Sequence, residues 1–79
     1  MNKIEKLKRF LQENYPNVQA FYTRYLVGDY MELVYDEDGI EVYYCYDYEY
    51  IEIYGLSQAE FDSLIEVEVW GDHLKTFTF

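Results

Sequence analysis

Between Ile40 and Asp47 the chain alternates with a period of two. Ile40, Val42, Tyr44 and Tyr46 fall on one side, and Glu41, Tyr43, Cys45 and Asp47 on the other. Only an extended strand sends every second side chain to one face, so this stretch commits the chain to a sheet. A lone strand cannot bury such a face, and the remaining residues must supply both neighbours and a cover. Val18 to Val27, with Phe21, Tyr22, Thr23 and Tyr25, is rich in branched and aromatic residues and predicts one neighbour. Gly28-Asp29 then separates it from Tyr30 to Tyr35 with the spacing of a two-residue hairpin turn, and Asp36-Glu37-Asp38-Gly39 marks a second, acidic turn. The expectation is an antiparallel meander. Beyond Tyr46 the apolar positions shift phase to Ile51 and Ile53, so either a tight turn near Asp47 to Glu49 opens a fourth strand or a bulge carries one long strand onward. Glu66 to Trp70 returns to alternation, Gly71-Asp72 repeats the Gly28-Asp29 spacing, and His73 to Phe79 predicts a last strand.

Two segments carry helical spacing instead. From Asn2 to Asn14, Ile4, Leu7, Phe10 and Leu11 form an apolar stripe while Lys3, Lys6, Arg9 and Glu13 lie opposite. Asn2 with Glu5 three residues on reads as an N-cap, and Pro16 stops the helix because the residue before a proline avoids helical geometry. Ser57 with Glu60 is a second capping box, opening a short helix whose stripe is Phe61, Leu64 and Ile65. The predicted fold is α+β: one domain spanning residues 1–79, with both helices packed on a twisted antiparallel sheet of about five or six strands.

Charge constrains partners more than fold. Sixteen Asp and Glu against six Lys and Arg leave a net charge of −10. That balance argues against direct binding to DNA, RNA or an anionic membrane, whose attraction requires cations on the protein. The charge is also uneven: Met1 to Arg24 is net +3, whereas Tyr25 to Phe79 is net −13. The basic face of the first helix is either a site for an acidic partner or, the reading preferred, a face that is solvated or paired with the protein's own carboxylates. The first ten residues alternate Lys and Glu with apolar positions and lack the apolar core of a secretory signal, and no stretch approaches the ~18 apolar residues of a membrane span. A cytoplasmic protein of a bacterial host is expected. Cys45 is alone, which rules out an internal disulfide, and its β-forming surroundings predict a buried, inert thiol.

No residue pattern identifies a reaction. Placing Gly39 at the sixth position of a calcium loop puts Val34 first and Cys45 twelfth, so an EF-hand is excluded and Asp36 to Gly39 is a solvated turn. His73 has no second histidine to share a zinc ion. Neither Ser57 nor Ser63 sits in a nucleophile-elbow sequence, and there is no phosphate-binding glycine loop. The expectation is a non-enzymatic chain without catalytic residues, cofactor or metal.

What stands out is a band of tyrosines and carboxylates. Tyr43 to Tyr50 holds five tyrosines, and eight acidic residues lie between Glu32 and Glu52. The bland reading is a small sheet that uses Tyr for packing and carboxylates for solubility. The sharper one uses geometry, because same-face residues repeat every ~6.7 Å along a strand, so two staggered strands place one charge per ~3.4 Å. A single strand of B-DNA carries its phosphates at about that axial spacing, ~3.4 Å. Clustered like charges destabilise a compact state, and a basic partner turns that cost into attraction. The predicted partner-binding residues are Asp36, Glu37, Asp38, Glu41, Asp47, Glu49 and Glu52, with Tyr46, Tyr48 and Tyr50 packing against the partner's cations.

In size, acidity and α+β pattern, with those seven acidic residues as its nearest thing to a motif, the chain resembles the small phage-encoded DNA-mimic inhibitors of the anti-CRISPR and anti-restriction type. The resemblance implies a partner whose arginines and lysines hold nucleic acid, such as a nuclease or the heteroduplex channel of a CRISPR effector. The basic first helix departs from a uniformly acidic mimic and confines the expected surface to the sheet and its turns. Two other readings fit the same residues: an immunity protein or antitoxin against a basic nuclease, and a homo-oligomeric assembly module built by aromatic strands pairing edge to edge.

Overall fold

The computed structural model describes residues 2–23, 30–70 and 74–78. The elements run α1 (Lys3–Asn14), β1 (Gln19–Thr23), β2 (Met31–Glu37), β3 (Ile40–Cys45), β4 (Tyr50–Tyr54), α2 (Gln58–Leu64), β5 (Glu66–Trp70) and β6 (Leu74–Thr78). Each helix starts where its cap residue satisfies an orphan amide. Asn2 Oδ1 accepts from the Glu5 amide at 2.9 Å. Ser57 Oγ accepts from the Glu60 amide at 3.1 Å, while Glu60 Oε1 accepts from the Ser57 amide at 2.9 Å.

The class is α+β as expected, but the sheet differs from the prediction. It has four strands in the order β1-β4-β3-β2, and β5 and β6 pair with each other as a separate antiparallel ribbon. It is also mixed, because β1 runs parallel to β4, with Gln19 opposite Tyr50 and Thr23 opposite Tyr54. β2 pairs antiparallel with β3, and β3 with β4, so β1 and β2 point the same way on opposite edges. A tight reverse turn joins only antiparallel neighbours, so the predicted β1–β2 hairpin does not form. Gly28-Asp29, Gly71-Asp72 and His73 lie outside the described residues. The antiparallel meander is instead β2-β3-β4.

Its two turns explain its register. Asp38 and Gly39 have φ of 56° and 79°, the paired positive values of a two-residue type I′ hairpin. Tyr46 to Glu49 turn the chain between β3 and β4, with Glu49 at φ 53°, which settles the phase change as a turn rather than a continuing strand. A bulge does occur, but in β2, where the register slips between Leu33 and Tyr35. Leu33 therefore stays opposite Tyr43, whereas Tyr35 crosses to the face of Val42 and enters the core.

Both helices cover one sheet face. Leu7 and Leu11 of α1 and Phe61, Leu64 and Ile65 at α2 pack with Ala20, Tyr35, Ile40, Val42, Ile51 and Ile53. Burying each such aliphatic side chain contributes about 1.5–3 kcal/mol. Cys45 is free and buried, as its setting in the sequence implies.

Candidate functional site

The pairings assign the other face of the sheet row by row. Gln19, Tyr50, Cys45 and Met31 form one row; Phe21, Glu52, Tyr43 and Leu33 the next; Thr23, Tyr54, Glu41 and Asp36 the third. This second face is aromatic and acidic, since it presents Tyr43, Tyr50, Tyr54 and Phe21 around Glu52, Glu41 and Asp36. Phe21 and Leu33 are each 44% exposed on it. Glu41 and Asp36 are direct cross-strand partners and Glu52 lies one diagonal step from Glu41, so the three carboxylates cross the sheet in one oblique line. Like charges placed directly opposite cost stability, and folding gains nothing from this pair.

The ten residues expected at the site are thus split. Asp36, Glu41, Glu52 and Tyr50 share the second face, and Tyr48 reaches it from the β3–β4 turn, 80% exposed. Asp47 and Glu49 stand exposed in that turn. Tyr46 goes to the helix side, where its hydroxyl donates to Glu32 and its ring meets Tyr44 edge-on at 4.7 Å. Glu37 and Asp38 also go to the helix side, with Lys6 Nζ 2.7 Å from Glu37 Oε2 and 3.9 Å from Asp38 Oδ2. The expected pair of staggered carboxylate ladders is accordingly reduced to one oblique row plus a turn. Tyr43, Tyr54, Phe21 and Leu33 were not singled out by sequence. The period-two pattern of β3 already put Tyr43 on the side of Glu41, and the rest required the strand order.

Charge is partitioned between the faces. Lys3 of α1 pairs with Glu60 of α2 at 3.2 Å, and Lys6 takes Glu37 and Asp38, so helix cations meet carboxylates on their own side. The ion pairs of Lys3 and Lys6 leave out Asp36, Glu41, Asp47, Glu49 and Glu52. The carboxyl shifts follow the same division. The Lys6 ammonium holds the Glu37 carboxyl below the ordinary range, and the Ser57 amide with Lys3 does the same for Glu60. On the second face the shifts are upward, because burial disfavours charge: Glu52 is raised, against the pull of the Tyr50 hydroxyl, and Tyr50 is raised by burial and by the Glu52 charge. Tyr43 donates its hydroxyl to Glu41 and is pushed up to about 12.

Two grooves adjoin this arrangement. One, of about 430 Å³, lies between α1 and β2 and includes Lys6, Arg9, Phe10, Tyr35 and Glu37, with Asp36 of the edge strand β2 also reaching its rim. The other, of about 310 Å³, opens on the second face and is lined by Gln19, Phe21, Tyr48, Tyr50 and Glu52. Among the described residues no group of three or more His, Cys, Asp or Glu side chains gathers as a metal site, and no helix is long and apolar enough to cross a membrane. Comparison with known proteins finds no matching family model, no matching curated protein and no matching solved structure.

Proposed function

We propose that this chain is a non-enzymatic acidic inhibitor whose second sheet face enters the basic groove of a nucleic-acid-binding partner in the host cytoplasm, in the manner of a phage-encoded DNA mimic. The observation that supports it is the charge partition. Lys3 and Lys6 of α1 pair with carboxylates on the helix side and with none of Asp36, Glu41, Glu52 or the turn acids Asp47 and Glu49, which lie beside exposed aromatic rings. Such a surface attracts a cationic groove and stacks on its arginines once there. A partner that is a nuclease or CRISPR effector fits both demands, since its own ligand is a polyanion read through Arg and Lys.

The test is DNA cleavage by purified nucleases and RNA-guided effectors with this protein present. Inhibition is expected to compete with DNA, to fade at about 1 M salt, where the screening length is ~3 Å, and to be lost in the variant D36K/E41K/E52K. Inhibition that the reversed face leaves intact contradicts the reading. Exposed Phe21 and Leu33 favour self-association as a second reading. Light scattering separates the two: aromatic pairing survives high salt, whereas two copies meeting face to face at low salt oppose their own carboxylate rows.

A further inference from the structure

We propose that the groove at the β1 end of the second face seats one arginine side chain of the partner, an inference that rests on the reading above and names the chemistry of its anchor point. Its walls are rings. Phe21 and Tyr50 meet edge to face, with centroids 5.2 Å apart and planes at 83°, so they offer two π faces at right angles. Tyr48, from the β3–β4 turn, supplies a third ring with most of its surface free. Glu52 is the charged group of the groove, since it is the cross-strand partner of Phe21 and lies two residues from Tyr50 on the same face. Gln19, partner of Tyr50, adds an amide at the rim.

This combination selects for charge and for shape. A cation over an aromatic face is attracted by the ring quadrupole, and a carboxylate within reach fixes where it stops. Guanidinium is flat, so it stacks on a ring while its fork of donors reaches a carboxylate, and it is more weakly hydrated than an ammonium. The groove, at about 310 Å³, is at the lower end of small-ligand pockets, which suits one side chain rather than a folded segment. Burial already disfavours the Glu52 charge, and an incoming cation relieves that penalty. The two oxygens of Glu52 can accept several hydrogen bonds, so the neighbouring Tyr50 hydroxyl leaves room for the guanidinium.

The experiment is an NMR titration of the whole isotope-labelled chain with N-acetyl-arginine amide, N-acetyl-lysine amide and uncharged N-acetyl-citrulline amide. Arginine is expected to shift the amides of Gln19, Phe21, Tyr50 and Glu52 saturably, lysine more weakly and citrulline not at all. The E52Q variant should bind arginine roughly tenfold more weakly, as expected for loss of a charge-assisted hydrogen bond. Tyr48→Leu should also weaken it, at an exposed position where the spectrum itself reports an intact fold. Equal shifts from all three compounds, shifts confined to α1 or to the Asp38-Gly39 turn, or an E52Q variant that binds as well as the parent would each overturn the assignment. The two proposals fail separately. Arginine binding without nuclease inhibition retains the groove and removes the inhibitor reading, whereas face-dependent inhibition without arginine binding retains the inhibitor and removes the groove.

Discussion

Alanine at Gly55 and alanine at Gly39 provide a matched pair, because both glycines have positive φ but only one is crowded. Gly39, at φ 79°, has no atom within 4 Å of an added Cβ, so the substitution there costs only the left-handed backbone of a non-glycine residue, about 1 kcal/mol. Gly55, at φ 96°, sits at the corner where β4 leaves for α2. An added Cβ there runs into the Gly39 carbonyl oxygen and lies 3.1 Å from Gly39 C and 3.2 Å from Ile40 Cα. All three obstacles are backbone, so relief requires moving the β2–β3 turn or the corner itself, and overpacking of that kind adds roughly 1–3 kcal/mol. Together the terms give about 3 kcal/mol for G55A against about 1 for G39A. A domain of this size has on the order of 5 kcal/mol in total. Urea unfolding followed by circular dichroism reads the difference: with a slope of about 1 kcal/mol/M, the midpoint falls by ~1 M for G39A and ~3 M for G55A. Equal shifts would refute the close passage of the corner against the turn, and with it the position of β4 beside β3.

Three other outcomes are expected. Tyr43 should ionise near pH 12 in an NMR titration and at lower pH in the E41Q variant, because the carboxylate it donates to opposes its charge; its folded value is raised, so its share of stability is complete below the ordinary tyrosine range and is lost as pH rises toward 12. Cys45 should react with a thiol reagent only after unfolding, since its side chain is buried in the sheet. Glu37 and Glu60 are lowered by Lys6 and by the Ser57 cap with Lys3, so what they contribute is present above the ordinary Glu value of about 4.3 and is lost as pH falls through their lowered values. Urea midpoints for K6M and the parent should therefore converge in acid, and a K6M deficit that persists at full protonation would refute that origin.

Caps and strands were legible because they depend on neighbours in sequence. Asn2 with Glu5 and Ser57 with Glu60 mark both helix starts, and the alternation from Ile40 gives β3 almost to the residue. Strand order was not legible, because period-two patterning tells which way a side chain points but not which strand lies alongside. Gly28-Asp29 has hairpin spacing, yet β1 found its partner in β4, a contact across some thirty residues. The bulge in β2 was hidden for a related reason: Met31, Leu33 and Tyr35 share one parity, and only the pairing shows Tyr35 leaving the other two for the core. The candidate site inherits both limits. Asp36, Glu37 and Asp38 are adjacent in sequence, but the strand sends Asp36 to the second face and leaves the other two to Lys6.

Tyr35 shows a cost of that arrangement. Its hydroxyl is buried without a hydrogen bond of regular geometry, and burial together with the Glu37 charge raises its pKa. Removing a buried hydroxyl that lacks a well-formed hydrogen bond relieves a penalty of at most about 1–3 kcal/mol, so Tyr35→Phe should unfold at higher urea than the parent, and a lower midpoint would show that its contact with Glu37 is a stabilising hydrogen bond.

Where a cation lands on this molecule decides between its two faces. Amide shifts of the labelled chain on adding an arginine-rich peptide should cluster at Phe21, Glu41, Tyr43, Tyr50 and Glu52, and should vanish at about 1 M salt, where the screening length is ~3 Å. Shifts centred on Glu37, Asp38 and α2, or spread evenly over the surface, would mean that the aromatic face holds no privileged place for a basic partner.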